Sequence, residues 1–225
     1  MRKSLLIKKF IRLSSVMFVL AALLTNLPIV KADTIFSTFG PGDTYDATQG
    51  AGIFGPPNPV QNIAASFTPS SDYFFDSADL PLLMYPFTAG AYTSNLFYVW
   101  LMSDSGGLPN SIIESFSGSI PFDSAGIYTF SSASHPLLAS GTTYWLAVSP
   151  NGQVGMAWLA NNQGFTNYAV GGLGPPFGIG DYGYPTPAFR VEGTTAPVPE
   201  PSTMLLLGSG LIGLVGYGKR RLFKK

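Results

Sequence analysis

The sequence predicts an all-β protein, an antiparallel β-sandwich of jelly-roll or immunoglobulin-like shape. Between residues 34 and 193, short apolar runs rich in aromatic and β-branched residues alternate with Gly, Pro, Asn, Asp and Ser. No stretch of this range keeps the 3.6-residue apolar period of an amphipathic helix, and prolines interrupt most windows that are long enough for one. The chain has no cysteine, which excludes a disulfide scaffold and leaves the fold to its hydrophobic core.

Nine apolar runs of strand length are predicted to build this sandwich. They cover residues 34–39, 61–68, 74–83, 95–102, 111–116, 127–131, 143–149, 155–160 and 188–192. The run Asn95–Met102 is almost continuously apolar, which favours a central strand covered on both faces. The glycine-rich segment Asn161–Tyr184 shows no such pattern and is predicted to form long loops.

Charge is divided between the ends of the chain and its middle. Six basic residues precede Asp33 and five follow Gly218, whereas residues 33–198 contain eleven acidic residues and one basic residue, Arg190. This middle segment therefore has a formal charge of −10. Such a charge repels phosphate backbones and anionic lipid surfaces, so we expect no nucleic-acid binding.

Residues 1–32 are predicted to be a secretory signal peptide. A basic stretch from Arg2 to Arg12 precedes an apolar run, Leu13–Leu27, and Val30-Lys31-Ala32 places small residues where signal peptidase reads them. Cleavage would follow Ala32 and leave an acidic domain, residues 33–193. The alternative is an uncleaved membrane anchor, which the shortness of the apolar run disfavours.

The C-terminal region has three predicted parts. Residues 194–201 are a proline-rich linker, residues 202–218 are uncharged and mostly apolar, and residues 219–225 are basic. As a helix, residues 202–218 would be about 25 Å long, slightly less than the roughly 30 Å hydrocarbon core, and flanking Lys and Arg side chains would cover the difference. This pattern predicts a transmembrane helix with a basic cytoplasmic tail.

The linker, the glycine-rich apolar segment and the basic cluster occur in a fixed order that resembles a known export signal. Pro199-Glu200-Pro201 followed by these two features resembles the PEP-CTERM sorting signal of Gram-negative bacteria. The resemblance implies that an exosortase, a membrane protease or transpeptidase, recognises Pro199, Glu200 and Pro201 and cuts nearby. It also implies transient anchoring in the inner membrane, then a place at the cell surface or outside it, in the company of exopolysaccharide and biofilm export. The alternative is a plain single-pass anchor with a proline stem.

Three motifs of the middle segment resemble the choice-of-anchor R domain, a family of secreted bacterial domains. They are the turn Asp104-Ser105-Gly106-Gly107-Leu108-Pro109 and the runs at residues 140–150 and 187–193. The resemblance spans residues 64–193. It implies a fold and a location, and no activity.

The sequence predicts no catalytic residue and no cofactor. A Ser-His-Asp arrangement needs a positioned imidazole, and the single histidine, His135, lies in a predicted turn. Two carboxylates could hydrolyse a glycoside, but aspartates at strand ends are usual in an acidic secreted domain. The same oxygen ligands leave a structural calcium ion open, although the Asp-x-Asp-x-Asp-Gly loop is absent. The aspartates in question are Asp43, Asp46, Asp72, Asp76 and Asp79.

Aromatic residues suggest a sugar-binding alternative, because flat rings can stack on sugar rings. Trp100 and Trp145 lie in the most apolar runs and are predicted to be core residues. Trp158 is the candidate glycan contact. Glycine-rich loops would display further rings, namely Phe165, Tyr168, Phe177, Tyr182 and Tyr184.

These observations together predict a secreted, exosortase-sorted surface or matrix protein that is not an enzyme and is linked to exopolysaccharide and biofilm. Signal peptidase and the exosortase are its expected processing partners, and the membrane holds it through the C-terminal helix. The alternative is an anchored carbohydrate-binding module or a weak glycosidase.

Overall fold

The computed structural model describes residues 32–172, 177–196 and 209–210, except for the side chains of residues 167 and 179–184. Antiparallel strands and tight turns form the body. In chain order the strands are β1 Asp33–Ser37, β2 Asp46–Phe54, β3 Asn62–Phe67, β4 Tyr73–Met84, β5 Leu96–Ser105, β6 Leu108–Ser119, β7 Ser124–Ser131, β8 Leu137–Leu138, β9 Tyr144–Pro150, β10 Gly155–Ala160, β11 Thr166–Gly171, β12 Phe177–Pro185 and β13 Arg190–Thr195.

The first sheet is built around β4. Strands β10 and β13 pair one after the other along the same edge of β4, because β10 faces Leu82–Met84 and β13 faces Tyr73–Asp79. Beyond them, β2 pairs with β10 and β1 with β13. Strands β7 and β8 line the opposite edge of β4. A single 12-residue strand thus fixes the positions of four others.

The second sheet has the order β12-β11-β3-β9-β5-β6, and each neighbouring pair is antiparallel. The inward side chains of both sheets form one continuous apolar core. Its largest fully buried members are aromatic and aliphatic residues, among them Trp158, Phe75, Phe97, Phe189, Leu80 and Leu101. The predicted all-β class and the sandwich-like arrangement are confirmed.

Strand β5 shows how the sheet differs from the prediction for residues 95–102. Its inward residues Phe97, Val99 and Leu101 are fully buried in the core. On its outer face Met102 is buried, but Tyr98 and Trp100 are only half-buried. The strand lies between β9 and the edge strand β6, so the expectation of complete cover on both faces is wrong on the outer side.

The segment Asn161–Tyr184, predicted as long loops, contains β11 and most of β12. These strands are held by backbone pairing, since β11 lies between β3 and β12 and pairs with both. The consecutive residues Tyr168 and Ala169 are both buried, so β11 lacks the apolar–polar alternation that marks a half-exposed strand in sequence, and the glycines of β12 lower its strand propensity. Strands β2 and β8 also have no counterpart among the nine predicted runs.

The half-buried carboxylate of Glu114 links the two sheets. Glu114 of β6 accepts hydrogen bonds from the Ser132 hydroxyl (2.7 Å) and from the backbone N–H groups of Ala133 (2.9 Å) and Ser134 (3.2 Å), directly after β7. Burial would raise the pKa of Glu114, but these hydrogen bonds to the charged form outweigh it and hold the pKa below its ordinary value.

This lowered pKa predicts an acid-sensitive contact between the sheets. A carboxyl group whose pKa falls on folding contributes stability above its unfolded pKa of about 4.3 and loses that contribution as the pH falls further. Glu114→Gln should therefore flatten the dependence of the unfolding free energy on pH below about 4.3. Ser132→Ala, which removes one of the three donors, should flatten it less. Urea unfolding at a series of pH values measures both, and an unchanged slope in Glu114→Gln would contradict the assignment.

Candidate functional site

Trp158, the predicted glycan contact, is 0% exposed. It sits in β10 opposite Leu82 on one side and Ala51 on the other. Its indole N–H donates to the Ala188 carbonyl at 2.7 Å, and its ring meets Phe189 edge-on at 6.1 Å. Both ring faces are inside the core, where they cannot reach a polysaccharide, so the prediction of a glycan contact at Trp158 is wrong.

The other two tryptophans divide between core and surface. Trp145 is buried, as predicted, and its indole N–H donates to Asp104 Oδ1 at 2.8 Å. Trp100, which is also predicted to be a core residue, is only half-buried, and its ring lies nearly parallel to that of Tyr98 (13° between planes, centroids 6.3 Å apart). Asn151 donates to the Tyr98 hydroxyl at 3.1 Å and fixes that ring.

Among the loop aromatics, Phe165 is the one that the structure places in the open, with 44% of its surface exposed. Tyr168 and Phe177 are buried. The side chains of Tyr182 and Tyr184 lie outside the described part of the chain. The prediction of displayed rings is therefore confirmed for Phe165 and wrong for Tyr168 and Phe177.

Phe165 stands over an open cleft of about 290 Å³, which we call the Phe165 cleft. Three phenyl rings line it, those of Phe36, Phe67 and Phe165. Five hydroxyl side chains complete the lining, those of Thr38, Ser66, Thr68, Thr166 and Thr186. Strand β11 pairs with β3 over Asn62–Ala64 and does not cover the end of β3. The cleft lies at this end, where the ring of Phe67 is 6.3 Å from that of Phe36 in β1. The glycine-rich surroundings of Phe165 indicate this ring in the sequence, whereas the hydroxyl residues carry no such signal because they come from segments far apart along the chain.

The loop that carries Phe165 is fixed by a buried amide. Asn161 is 3% exposed, and its Nδ2 donates to the carbonyls of Phe165 (2.8 Å) and Thr186 (2.6 Å). Its Oδ1 accepts from the N–H groups of Gln163 (2.9 Å) and Phe165 (3.0 Å). Gly164 completes the turn at φ +80°, a conformation that side chains with a Cβ rarely adopt. The ring is thus held by a closed turn.

Arg190, the one basic residue of the acidic segment, gathers three carboxylates on the outer face of the first sheet. Its Nη2 and Nε donate to Asp79 Oδ2 at 2.6 and 3.0 Å, and its Nη1 donates to Asp43 Oδ1 at 2.6 Å. Glu192 Oε1 lies 2.9 Å from Nε. Burial would lower the pKa of Arg190, but the hydrogen bond to Asp79 and the three negative charges outweigh it and raise that pKa above its ordinary value.

The remaining predicted aspartates also have partners within the protein. Asp72 accepts from the Ser140 N–H (2.8 Å), and Asp76 bonds His135 Nδ1 (2.8 Å). Asp46 accepts from the hydroxyl and N–H of Thr48, which lowers its pKa. Within the described ranges no group of three or more His, Asp or Glu side chains is placed to hold a metal ion.

The His135–Asp76 pair has the geometry of the histidine–carboxylate half of a hydrolytic triad. The hydroxyl of Ser132, in the same loop, donates to Glu114 and accepts from the His135 backbone N–H at 2.8 Å. Its contacts are therefore those of a loop brace.

The body ends just before the C-terminal motif. Strand β13 finishes at Thr195, and the Ala196 N–H donates to the Asp72 carbonyl at 3.0 Å. Residues 197–221 match the PEP-CTERM protein-sorting motif. The chain carries a PEP-CTERM sorting signal. Pro199, Glu200 and Pro201 fall within the match and outside the residues whose structure is described.

The PEP-CTERM motif implies processing by an exosortase and hence export and sorting to the cell surface. In the part of the chain that the structure describes, no helix has the length and apolar character needed to cross a membrane. The predicted helix of residues 202–218 lies outside that part except for Ser209 and Gly210, which are helical. No curated protein and no solved structure shows significant similarity to the chain, and the resemblance to the choice-of-anchor R domain remains a prediction.

The other end of the described body begins at Ala32, which is exposed and immediately precedes β1. Asp33 already pairs with Gly193 of β13. Cleavage after Ala32 would therefore leave every strand intact. The signal peptide itself, residues 1–31 with Ala32, remains a prediction because residues 1–31 are not described.

The Arg190 cluster predicts a large loss of stability when the cation is removed. Arg190→Met should lower the unfolding free energy by about 3 kcal/mol, because Asp79, 7% exposed, would be left as an uncompensated buried charge. Arg190→Lys keeps the charge but not the forked geometry and should cost less. Adding Asp79→Asn to Arg190→Met should restore part of the loss. Urea unfolding measures all three, and an unfolding midpoint of Arg190→Met equal to that of the wild type would refute the cluster's role.

Proposed function

We propose that this protein is a non-enzymatic component of the cell surface or extracellular matrix, linked to exopolysaccharide and biofilm, which an exosortase releases or attaches. The match to the PEP-CTERM motif directly after the last strand supports this most strongly. Signal peptidase removes residues 1–32. The helix of residues 202–218 then holds the protein in the inner membrane, with residues 219–225 in the cytoplasm and the acidic domain outside, until the exosortase acts.

The ion pairs and hydrogen bonds of the acidic side chains support a binding or structural role for the domain. Asp43, Asp79 and Glu192 converge on one guanidinium, so each carboxylate is engaged in an ion pair and none of them is a free general base or nucleophile in this arrangement. Glu114 and Asp72 hold loops in place. These contacts favour a domain whose carboxylates stabilise its own fold.

A second candidate function is that of an anchored carbohydrate-binding module. The Phe165 cleft favours it, because a concave site lined by phenyl rings and hydroxyl groups suits a sugar. A weak glycosidase would need two carboxylates facing a sugar, and the described lining of this cleft contains none.

The sorting step is tested by Glu200→Ala in a strain that carries an exosortase. Two prolines keep the motif extended, and Glu200 places the motif's one charge at the membrane face. Without that charge, full-length protein should accumulate in the inner membrane. Cell fractionation and immunoblotting follow the precursor and the processed form. Asp123→Asn, an exposed acidic residue in the β6–β7 turn, is the control and should be processed normally. Normal processing of Glu200→Ala would refute recognition through Glu200.

The proposed fold requires no metal ion, and calcium removal tests this. Because the clustered acidic side chains already have Arg190 or hydrogen-bond donors as partners, EDTA should change the thermal midpoint by less than about 1 °C. Differential scanning calorimetry with and without EDTA measures it. A lower midpoint that calcium restores and magnesium does not would establish a structural calcium site instead.

A further inference from the structure

The chemistry of the Phe165 cleft defines what it could bind. The face of a phenyl ring carries partial negative charge and attracts weakly positive C–H groups, whereas serine and threonine hydroxyls both donate and accept hydrogen bonds. The hydroxyls of Thr38 and Thr68 already bond within the protein, to the Pro187 carbonyl and the Thr143 hydroxyl. Ser66 and Thr166 therefore supply the hydroxyls that a purely apolar ligand would desolvate without replacing their hydrogen bonds to water. A sugar ring presents C–H groups on its faces and hydroxyls on its rim, and so satisfies both parts of this lining.

The charge of the lining narrows the ligand further. The described lining residues are all uncharged, and the segment around them has a formal charge of −10. A sulfated, phosphorylated or uronic-acid polymer would find no cation in the cleft and would be repelled by the domain as a whole. The cleft therefore suits a neutral sugar.

The cleft is also preorganised. Asn161 fixes the turn under Phe165 with four hydrogen bonds. The ring of Phe36 lies 6.4 Å from that of Phe165 and stacks on the buried Phe189 at 5.4 Å, so the floor of the cleft is continuous with the core. A ring mounted in this way loses little conformational entropy when a ligand stacks on it. A second cleft of about 200 Å³, which includes Gln49, Gly50 and Ala160, has no aromatic ring in its described lining.

From these observations we propose that the Phe165 cleft binds a single neutral sugar residue of an extracellular polysaccharide. This inference rests on the polysaccharide association in the proposed function and names its site and its ligand class. A volume of about 290 Å³ is at the small end for ligand sites, so the cleft holds one residue of a longer chain. Binding of one such residue should be weak, with a Kd on the order of 1 mM.

Affinity electrophoresis of the full chain tests the proposal. The protein is solubilised in a zwitterionic detergent without a sugar headgroup and run through gels containing dextran, mannan or galactan, with alginate as the anionic comparison. Wild-type protein should be retarded by at least one neutral polymer, and any retardation by alginate through the basic termini should not depend on Phe165. Phe165→Ala should weaken that retardation about tenfold because the stacking face is lost.

Matched variants separate a binding role from a structural one. Phe87 is 59% exposed and packs on Phe122 outside the cleft, so Phe87→Ala makes the same change elsewhere and should bind like the wild type. Phe165→Trp keeps a stacking face and should retain binding. Thr166→Val removes one hydroxyl with little change of shape and should weaken binding. Circular dichroism and thermal midpoints confirm that each variant is folded.

Each alternative result has its own meaning. If the wild type binds a neutral polymer and Phe165→Ala binds equally well, the cleft is not the site, although the polysaccharide association stands. If Phe165→Ala weakens retardation by alginate more than retardation by any neutral polymer, the assignment to neutral sugars is wrong. If none of these polymers binds, the sugar site is refuted, and the polysaccharide part of the proposed function is withdrawn while sorting through Glu200 is unaffected. If light scattering shows a dimer that Phe165→Ala abolishes, the occupant is a second copy and the proposal fails.

Discussion

The ion pair between Asp79 and Arg190 is the constraint that orders the first sheet. Asp79 lies on β4, the strand that pairs with four others, and a carboxylate so nearly buried needs a cation. Arg190 is its cross-strand neighbour in the β4–β13 register, so the pair also fixes that register, since a slip of one residue would turn either side chain to the opposite face. Because Arg190 also bonds Asp43 and lies over the Phe39 ring at 5.8 Å, it holds the β1–β2 connection against the same face.

The position of the cleft follows from how β10 and β13 share one edge of β4. Between them the chain leaves the first sheet at Asn161, forms β11 and β12 in the second sheet, and returns at Thr186. Asn161 N–H donates to the Thr186 carbonyl and Ala188 N–H to the Leu159 carbonyl, so the two ends of this excursion are closed on each other. Trp158 also stabilises this junction, because its buried indole N–H donates to the Ala188 carbonyl. The turn that carries Phe165 directly follows Asn161, so the exposed ring is held close to these hydrogen bonds.

The sequence allowed the fold class to be predicted because apolar strands of the core are visible as runs. Strand β10 was predicted with the bounds that it has, Gly155–Ala160, since all of its residues are buried. Strands β11 and β12 could not be found, because the consecutive residues Tyr168 and Ala169 of β11 are both buried, which leaves no alternating pattern, and glycines interrupt β12. The same limit applies to Trp158: a tryptophan in a short run next to glycines could face either side, and its indole N–H found a partner, Ala188, that is distant in sequence. Arg190 was visible as the one cation, but its three partners come from separate segments.

The sorting motif and the folded body are separate parts of this chain. The body is closed on itself before residue 197, because β13 is paired with both β1 and β4 and Ala196 bonds Asp72. An exosortase that acts on the motif would therefore leave no strand edge newly exposed in the first sheet. The acidic charge of the body also repels anionic lipid, which disfavours contact between the exported domain and such a membrane surface. The Phe165 cleft differs from the rest of this acidic body in that its described lining is uncharged and combines hydroxyl residues with a fixed aromatic ring.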